Sequence, residues 1–155
     1  MIINGHEAVD LGLSVKWATC NIGASNPEEY GDYFAFGETE SKNEYTEENY
    51  MLYGIPHRKA YIGIGKIISG TEYDVARKQW GDEWRMPTEE ELYELLSYCS
   101  WQLITINGVN GYEVVGPNGN SIFLPAAGTF NGSPDKPRGL SIQPCKSEKE
   151  EPYIR

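Results

Sequence analysis

The chain has 155 residues, room for one domain whose folding buries about two-thirds of the surface an unfolded chain exposes. Its 23 acidic against 13 basic residues give a formal charge of -10, a field that repels polyanions, and the densest positive cluster, His57-Arg58-Lys59, reads as a solvated loop, so nucleic acid is not expected as a partner. No apolar run approaches the ~20 residues of a membrane span, so no transmembrane segment is expected, and the opening "MIINGHEAVDLG" lacks the basic start and apolar stretch of a signal peptide.

The apolar material sits largely in rings, 11 Tyr, 4 Trp and 4 Phe, which favours a folded, loop-rich domain. Residues 8–20, "AVDLGLSVKWATC", place Val9, Leu11, Leu13, Val15, Trp17 and Thr19 on one parity, the pattern of a half-buried strand interrupted at Gly12. The segment that follows carries turn signals at Gly23, Pro27, Gly31 and Gly37, with Tyr33, Phe34 and Phe36 as a short buried ribbon. Residues 38–70 read mostly as loop.

"TEYDVARKQWG" predicts a helix over about 72–80, with Thr71 as N-cap and Gly81 as a left-handed C-cap. In "WGDEWRMPTEEELYELL", residues 80–96, two indoles flank a glycine turn and Pro87 holds Met86 extended. Thr88 and Glu91 then have capping-box spacing, the hydroxyl accepting from the Glu91 amide and the carboxylate from the Thr88 amide. Leu92, Leu95, Leu96 and Cys99 recur at helical spacing, predicting a helix over 89–99 with that stripe buried. From Trp101 the pattern becomes "WQLITI", "GYEVV" and "SIFLPAAG", separated by Asn107-Gly108, Asn110-Gly111 and Pro117 to Asn120, an antiparallel meander. "RGLSIQPC" is a candidate last strand, and residues 146–155 form a charged, flexible tail outside a single domain of 1–145. Helices and antiparallel strands are segregated along the chain, which makes the fold class α+β: two short helices packed on antiparallel sheet, with many loops.

Arg85, next to Asp82 and Glu83, could serve a site, but the chain has no G-x-S-x-G, no H-E-x-x-H and no phosphate loop. Arg85 is therefore read as a structural bolt that donates to main-chain carbonyls of irregular loops. No catalytic residue is assigned. Cys20, Cys99 and Cys145 allow at most one bridge, with Cys20 to Cys99 the first pair to test. Without a C-x-x-C or H-x-x-x-H unit, and with only "GPNGN" and "NPEE" as oxygen sources for calcium, no metal and no cofactor is expected.

Together, "VDLGLSVKWATCNIGASNPEEYGDYFAFGET", "WGDEWRMPTEEELYELLSYCSW", "NGVNGYEVVGPNGNSIFLPAAG" and "RGLSIQPC" resemble the Fibrobacter succinogenes major paralogous domain family, over about residues 8–145. That family is similar to the C-type lectin-like fold, and its Arg-Met-Pro-Thr-Glu segment looks like that of formylglycine-generating enzymes. The resemblance implies a secreted or cell-surface bacterial protein and a ligand-binding module. It does not carry over the oxidase chemistry, because those enzymes hold copper with two cysteines in the C-terminal region and here only Cys145 lies beyond residue 100. Relatives also place a long aromatic and serine-rich segment between the strands like "FLPAAG" and "RGLSIQPC", where this chain has only "TFNGSPDKP". A degenerate paralogue, a trimmed binding face, or a homodimer that completes the fold would each account for the shortening.

The leading functional expectation is a noncatalytic domain that recognises glycan or protein through loops of its C-terminal half. Its candidate ligand-binding residues are Asn118, Asn120, Phe130, Asn131, Asp135, Lys136 and Arg138. Against this, Asn118 to Asn120 also read as nothing more than a hairpin turn. The alternatives are a structural or assembly protein that self-associates through the shortened C-terminal face and an enzyme related to formylglycine generation.

Overall fold

The computed structural model describes residues 1–34, 38–40 and 68–126, together with the backbone of three short strands at 129–130, 139–140 and 145–146. The class is α+β, with all described strand pairs antiparallel. Strands β1 (Ile2–Ile3), β2 (His6–Val9), β3 (Trp17–Ala18), β10 (Cys145–Lys146) and β4 (Trp84–Arg85) form one sheet in that spatial order, so the late strand β10 is inserted between β3 and β4. Strands β5 (Ser100–Ile106), β6 (Val109–Val115) and β7 (Ser121–Pro125) form the expected meander. A third pair joins β8 (Thr129–Phe130) to β9 (Gly139–Leu140). Two helices lie among the described residues, α1 (Val75–Trp80) and α2 (Glu89–Tyr98).

The strand expected over 8–20 is only partly one. Its ladder stops after Val9 and resumes for Trp17 and Ala18, yet the alternation still predicts burial: Leu11, Leu13, Val15 and Trp17 are all within 3% of fully buried, and the residues between them are not. Gly12, at φ +83, turns the chain, and the Asp10 carboxylate accepts from its amide, so the backbone leaves the sheet while its apolar side stays inward. The sequence reading missed β1, whose hairpin to β2 turns on Asn4-Gly5 with both residues at positive φ. The Asn-Gly dipeptide was the available signal, the same one that marks the Asn107-Gly108 turn between β5 and β6. Asn110-Gly111, expected as a turn, lies inside β6 instead. There the Phe123 ring fills the place of a side chain, 2.5 Å from where a Cβ on Gly111 would stand.

The first helix starts three residues later than expected. Asp74, not Thr71, is its N-cap and accepts from the Ala76 and Arg77 amides, while the Thr71 hydroxyl accepts from the Tyr73 amide and donates to the Ile68 carbonyl. Thr71 thus closes a preceding turn. Gly81 ends the helix at φ 98 and ψ 170, a conformation open to glycine but not the left-handed helical cap expected. The second helix carries the capping box as read, with Thr88 Oγ1 accepting from the Glu91 amide and Glu91 Oε1 accepting from the Thr88 amide at 2.8 Å.

Its buried stripe differs from expectation. Leu95 is buried, Cys99 is partly buried, and Glu91 is buried, but Leu92 and Leu96 are 43% and 64% exposed. The cause is the inward turn of Glu91, which rotates the helix so that Glu91 and Leu95, one turn apart, face the protein.

Two apolar clusters lie on opposite faces of the larger sheet. Ala8 and Ala18 pair across β2 and β3 and join Ile3, Val75, Trp80 and Trp84 on one side. Val9 and Trp17 form the next pair and pack with Leu95, Val114 and Ile122 on the other. Because neighbouring strand residues point to opposite faces, β4 needs only two residues to serve both: Trp84 faces α1 and Arg85 faces α2.

Candidate functional site

The Trp80–Glu91 segment is a joint closed on both faces. On the α1 side, the His6 ring stacks on Trp80 at 3.7 Å between centroids and 9° between planes, and Trp84 meets Trp80 edge-on at 5.0 Å. The Trp84 indole nitrogen donates to the Ile3 carbonyl, and the Asn4 side-chain amide donates to the Trp80 main-chain carbonyl, so the β1–β2 hairpin is tied to both tryptophan residues. Burial holds the His6 imidazole below its usual pKa.

On the α2 side, Arg85 Nη1 and Nη2 donate to Glu91 Oε1 and Oε2 at 2.7 and 2.5 Å, with side-chain exposures of 8% and 6%. Nη1 also reaches Ser69 Oγ and the Met86 carbonyl. The main-chain acceptor expected for Arg85 is therefore present at Met86, but the principal partner is a carboxylate, the same one that closes the capping box. Burial raises the Glu91 pKa. The Arg85 hydrogen bonds, the Thr88 amide and the Arg85 charge oppose this, and the net shift is downward. A guanidinium held this way has both terminal nitrogens committed to a buried carboxylate.

Asp74, fully buried, is the third fixed point. Besides capping α1 it accepts from the Gly70 amide at 2.7 Å and from the Met86 amide at 2.9 Å. One carboxylate thus joins the loop before the helix, the helix itself and the chain leaving β4.

The two candidate ligand-binding asparagines inside the described residues come together, but on the protein itself. Asn118 and Asn120 each donate a side-chain amide to the Asp10 carbonyl, at 2.8 and 2.9 Å. The Asn118 side chain also accepts from the Asn120 amide, and the Gly116 amide donates to the Asn120 carbonyl, which is the geometry of a hairpin turn between β6 and β7. Their exposed position reflects a latch onto the Asp10–Gly12 bend. Asn131, Asp135, Lys136 and Arg138 lie outside the described residues, as do Phe36, Gly37, residues 41–67 and residues 147–155. Of Phe130, only the backbone is described, paired with Gly139 in β8 and β9.

Cys20 and Cys99 are free thiols, so the pairing considered for them is not present. Burial raises both thiol pKa values; at Cys20 a hydrogen bond with Thr19 opposes it, and nearby carboxylates (Glu29, Glu7 and Glu28 at Cys20, Glu94 at Cys99) add to the upward shift. Thiols kept protonated are poor nucleophiles and poor metal ligands. Among the described residues no group of three or more His, Cys, Asp or Glu side chains is placed to hold a metal ion, and no helix is long and apolar enough to cross a membrane.

What the described surface does offer is apolar. Leu92, Tyr93, Leu96 and Tyr98 on α2 are 43%, 63%, 64% and 60% exposed, and the Tyr93 and Tyr98 rings meet edge-on at 6.4 Å. Sequence reasoning missed this face because it assigned Leu92 and Leu96 to the core. Glu89 and Glu90, both exposed, flank it in the first turn of the same helix, and no basic residue lies in its last turn. Comparison of the chain with family models, with curated protein sequences and with solved structures finds no match.

Proposed function

We propose that the chain is a noncatalytic recognition domain of a secreted or cell-surface bacterial protein, of the Fibrobacter succinogenes major paralogous domain kind with a C-type lectin-like fold. The segments that carry this resemblance include those that build the Trp80–Glu91 joint and the meander. The observation that carries the recognition reading is the exposed leucine and tyrosine face of α2. Tyrosines offer large rigid contact area with a polar tip, and such residues are enriched where proteins bind proteins.

Between glycan and protein, the face favours a protein ligand. Its aliphatic members, Leu92 and Leu96, suit apolar side chains, and the flanking Glu89 and Glu90 in a chain of net charge -10 suit a segment whose apolar residues are bordered by Lys or Arg. Arg85 and the two described thiols are held in ways that support a binding role over a catalytic one.

The test is binding of the full chain to immobilised peptides of basic-apolar and acidic-apolar composition, beside a glycan array. Basic-apolar peptides are expected to bind, and Tyr93→Ala with Leu96→Ala to weaken them at least about tenfold while the fold stays intact. Binding confined to glycans, or unchanged in those variants, would remove this assignment of the ligand.

A further inference from the structure

A separate surface is argued by the edge of the meander. Strand β5 is an outer strand of its sheet, 7 residues long, and pairs with β6 residue for residue from Ser100↔Val115 to Ile106↔Val109 with no bulge. Proteins protect such edges with lysine, proline, bulges or very short strands. β5, "SWQLITI", has no charge and no proline, although the whole chain carries a net charge of -10. The other described outer strands are guarded: β1, β4, β8 and β9 are 2 residues each, and β7 ends on Pro125.

The turn fixes which groups the edge presents. Ile106 and Val109 flank the two-residue Asn107-Gly108 turn and exchange hydrogen bonds with each other. Alternation along an antiparallel ladder then turns the N–H and C=O of Ile104 and Gln102 toward β6, and those of Thr105, Leu103 and Trp101 outward. Leu103 is the middle of these three and is 65% exposed.

We propose that β5 is a self-association edge whose occupant is β5 of a second copy, running antiparallel across a two-fold axis at Leu103. In that register Leu103 exchanges hydrogen bonds with Leu103 of the partner subunit, and Trp101 with Thr105 of the partner subunit, so every outward group of the strand's centre has a mate. The chemistry is self-complementary, because an uncharged strand meets its own copy without like-charge repulsion, whereas most of this acidic surface would repel itself. Pairing also covers Leu103, which lies directly across from Tyr112 on the same face of the sheet.

Sedimentation velocity of the full chain over about a hundredfold range of concentration tests this. The expected result is a reversible dimer. Leu103→Lys, which places two ammonium groups opposite each other at the axis, should raise the dissociation constant about tenfold or more. Thr105→Pro, which removes an outward main-chain donor and leaves the main-chain ladder to β6 in place while losing the Thr105 hydroxyl's bond to the Asn110 side chain, should do the same. Far-ultraviolet circular dichroism checks each fold, and the exposed Leu103 site decides alone if the proline disturbs the hairpin. A chain monomeric throughout, or a dimer whose constant neither variant changes, overturns the proposal. Neither outcome alters the binding assay on α2, which uses different residues.

Discussion

Arg85 and Glu91, six positions apart, meet as a two-pronged ion pair with side-chain exposures of 8% and 6%, and the same carboxylate caps the helix that Glu91 belongs to. The pair locks β4 to α2, with Pro87 and Thr88 between them.

Breaking the pair from one side leaves a buried charge without its mate. Glu91→Gln is therefore expected to lower stability by about 3 kcal/mol or more, measured by urea unfolding. Gln can still accept from the Thr88 amide and so keeps the cap, which means that a loss of about 1 kcal/mol or less would show that the ion pair contributes little.

The downward pKa shift at Glu91 sets an acid limit. Its contribution is fully present above the unfolded value of 4.5 and is lost as pH falls through the lower folded value, so the unfolding midpoint should drop steeply below about pH 4.5. His6 adds a second limb with the same sign: its folded pKa lies below 6.5, so stability declines as pH falls through that range. His6→Phe keeps a ring on Trp80 and should flatten the limb between about pH 7 and about pH 5, while Glu91→Gln should flatten only the more acid one. Thermal midpoints across pH for the three chains separate them.

Asp74 does more than cap a helix. An N-cap aspartate lost from a surface helix costs about 1 kcal/mol, but Asp74→Ala also strands the Gly70 and Met86 amides inside the protein, and the expected loss is about 3 kcal/mol. Asp74→Asn should fall between, since its amide group meets N–H donors at one end. Urea unfolding of the two variants orders them, and equal small losses would show that only the cap contributes.

Two glycines of one turn should respond unequally. A Cβ on Gly116 would stand 2.0 Å from the Leu11 carbonyl oxygen, so Gly116→Ala must push the turn off the Asp10–Gly12 bend, at a cost of about 3 kcal/mol. Gly119 has nothing within 4 Å and only its positive φ to lose, so Gly119→Ala should cost about 1–2 kcal/mol. Thermal unfolding of both variants checks the order.

The sequence by itself determined the local devices, because each is closed within a few residues. The Thr88–Glu91 box, the Asn107-Gly108 turn, the meander and the inward parity of Leu11, Leu13, Val15 and Trp17 were all legible from spacing alone. A main-chain acceptor for Arg85 was legible too, and is met at the Met86 carbonyl, but not the principal partner, since a guanidinium six positions from a carboxylate meets it only if a proline bend brings them together. What tertiary structure decided is everything that depends on distant chain. Asp74 took the cap from Thr71 because Gly70 and Met86 also needed its oxygens. Asn118 and Asn120, though exposed, bond to the protein itself because the Asp10 carbonyl lies within reach. The rotation of α2 that exposes Leu92 and Leu96 followed from burying Glu91, since a helix has one inward face and a paired charge claimed it from two leucines.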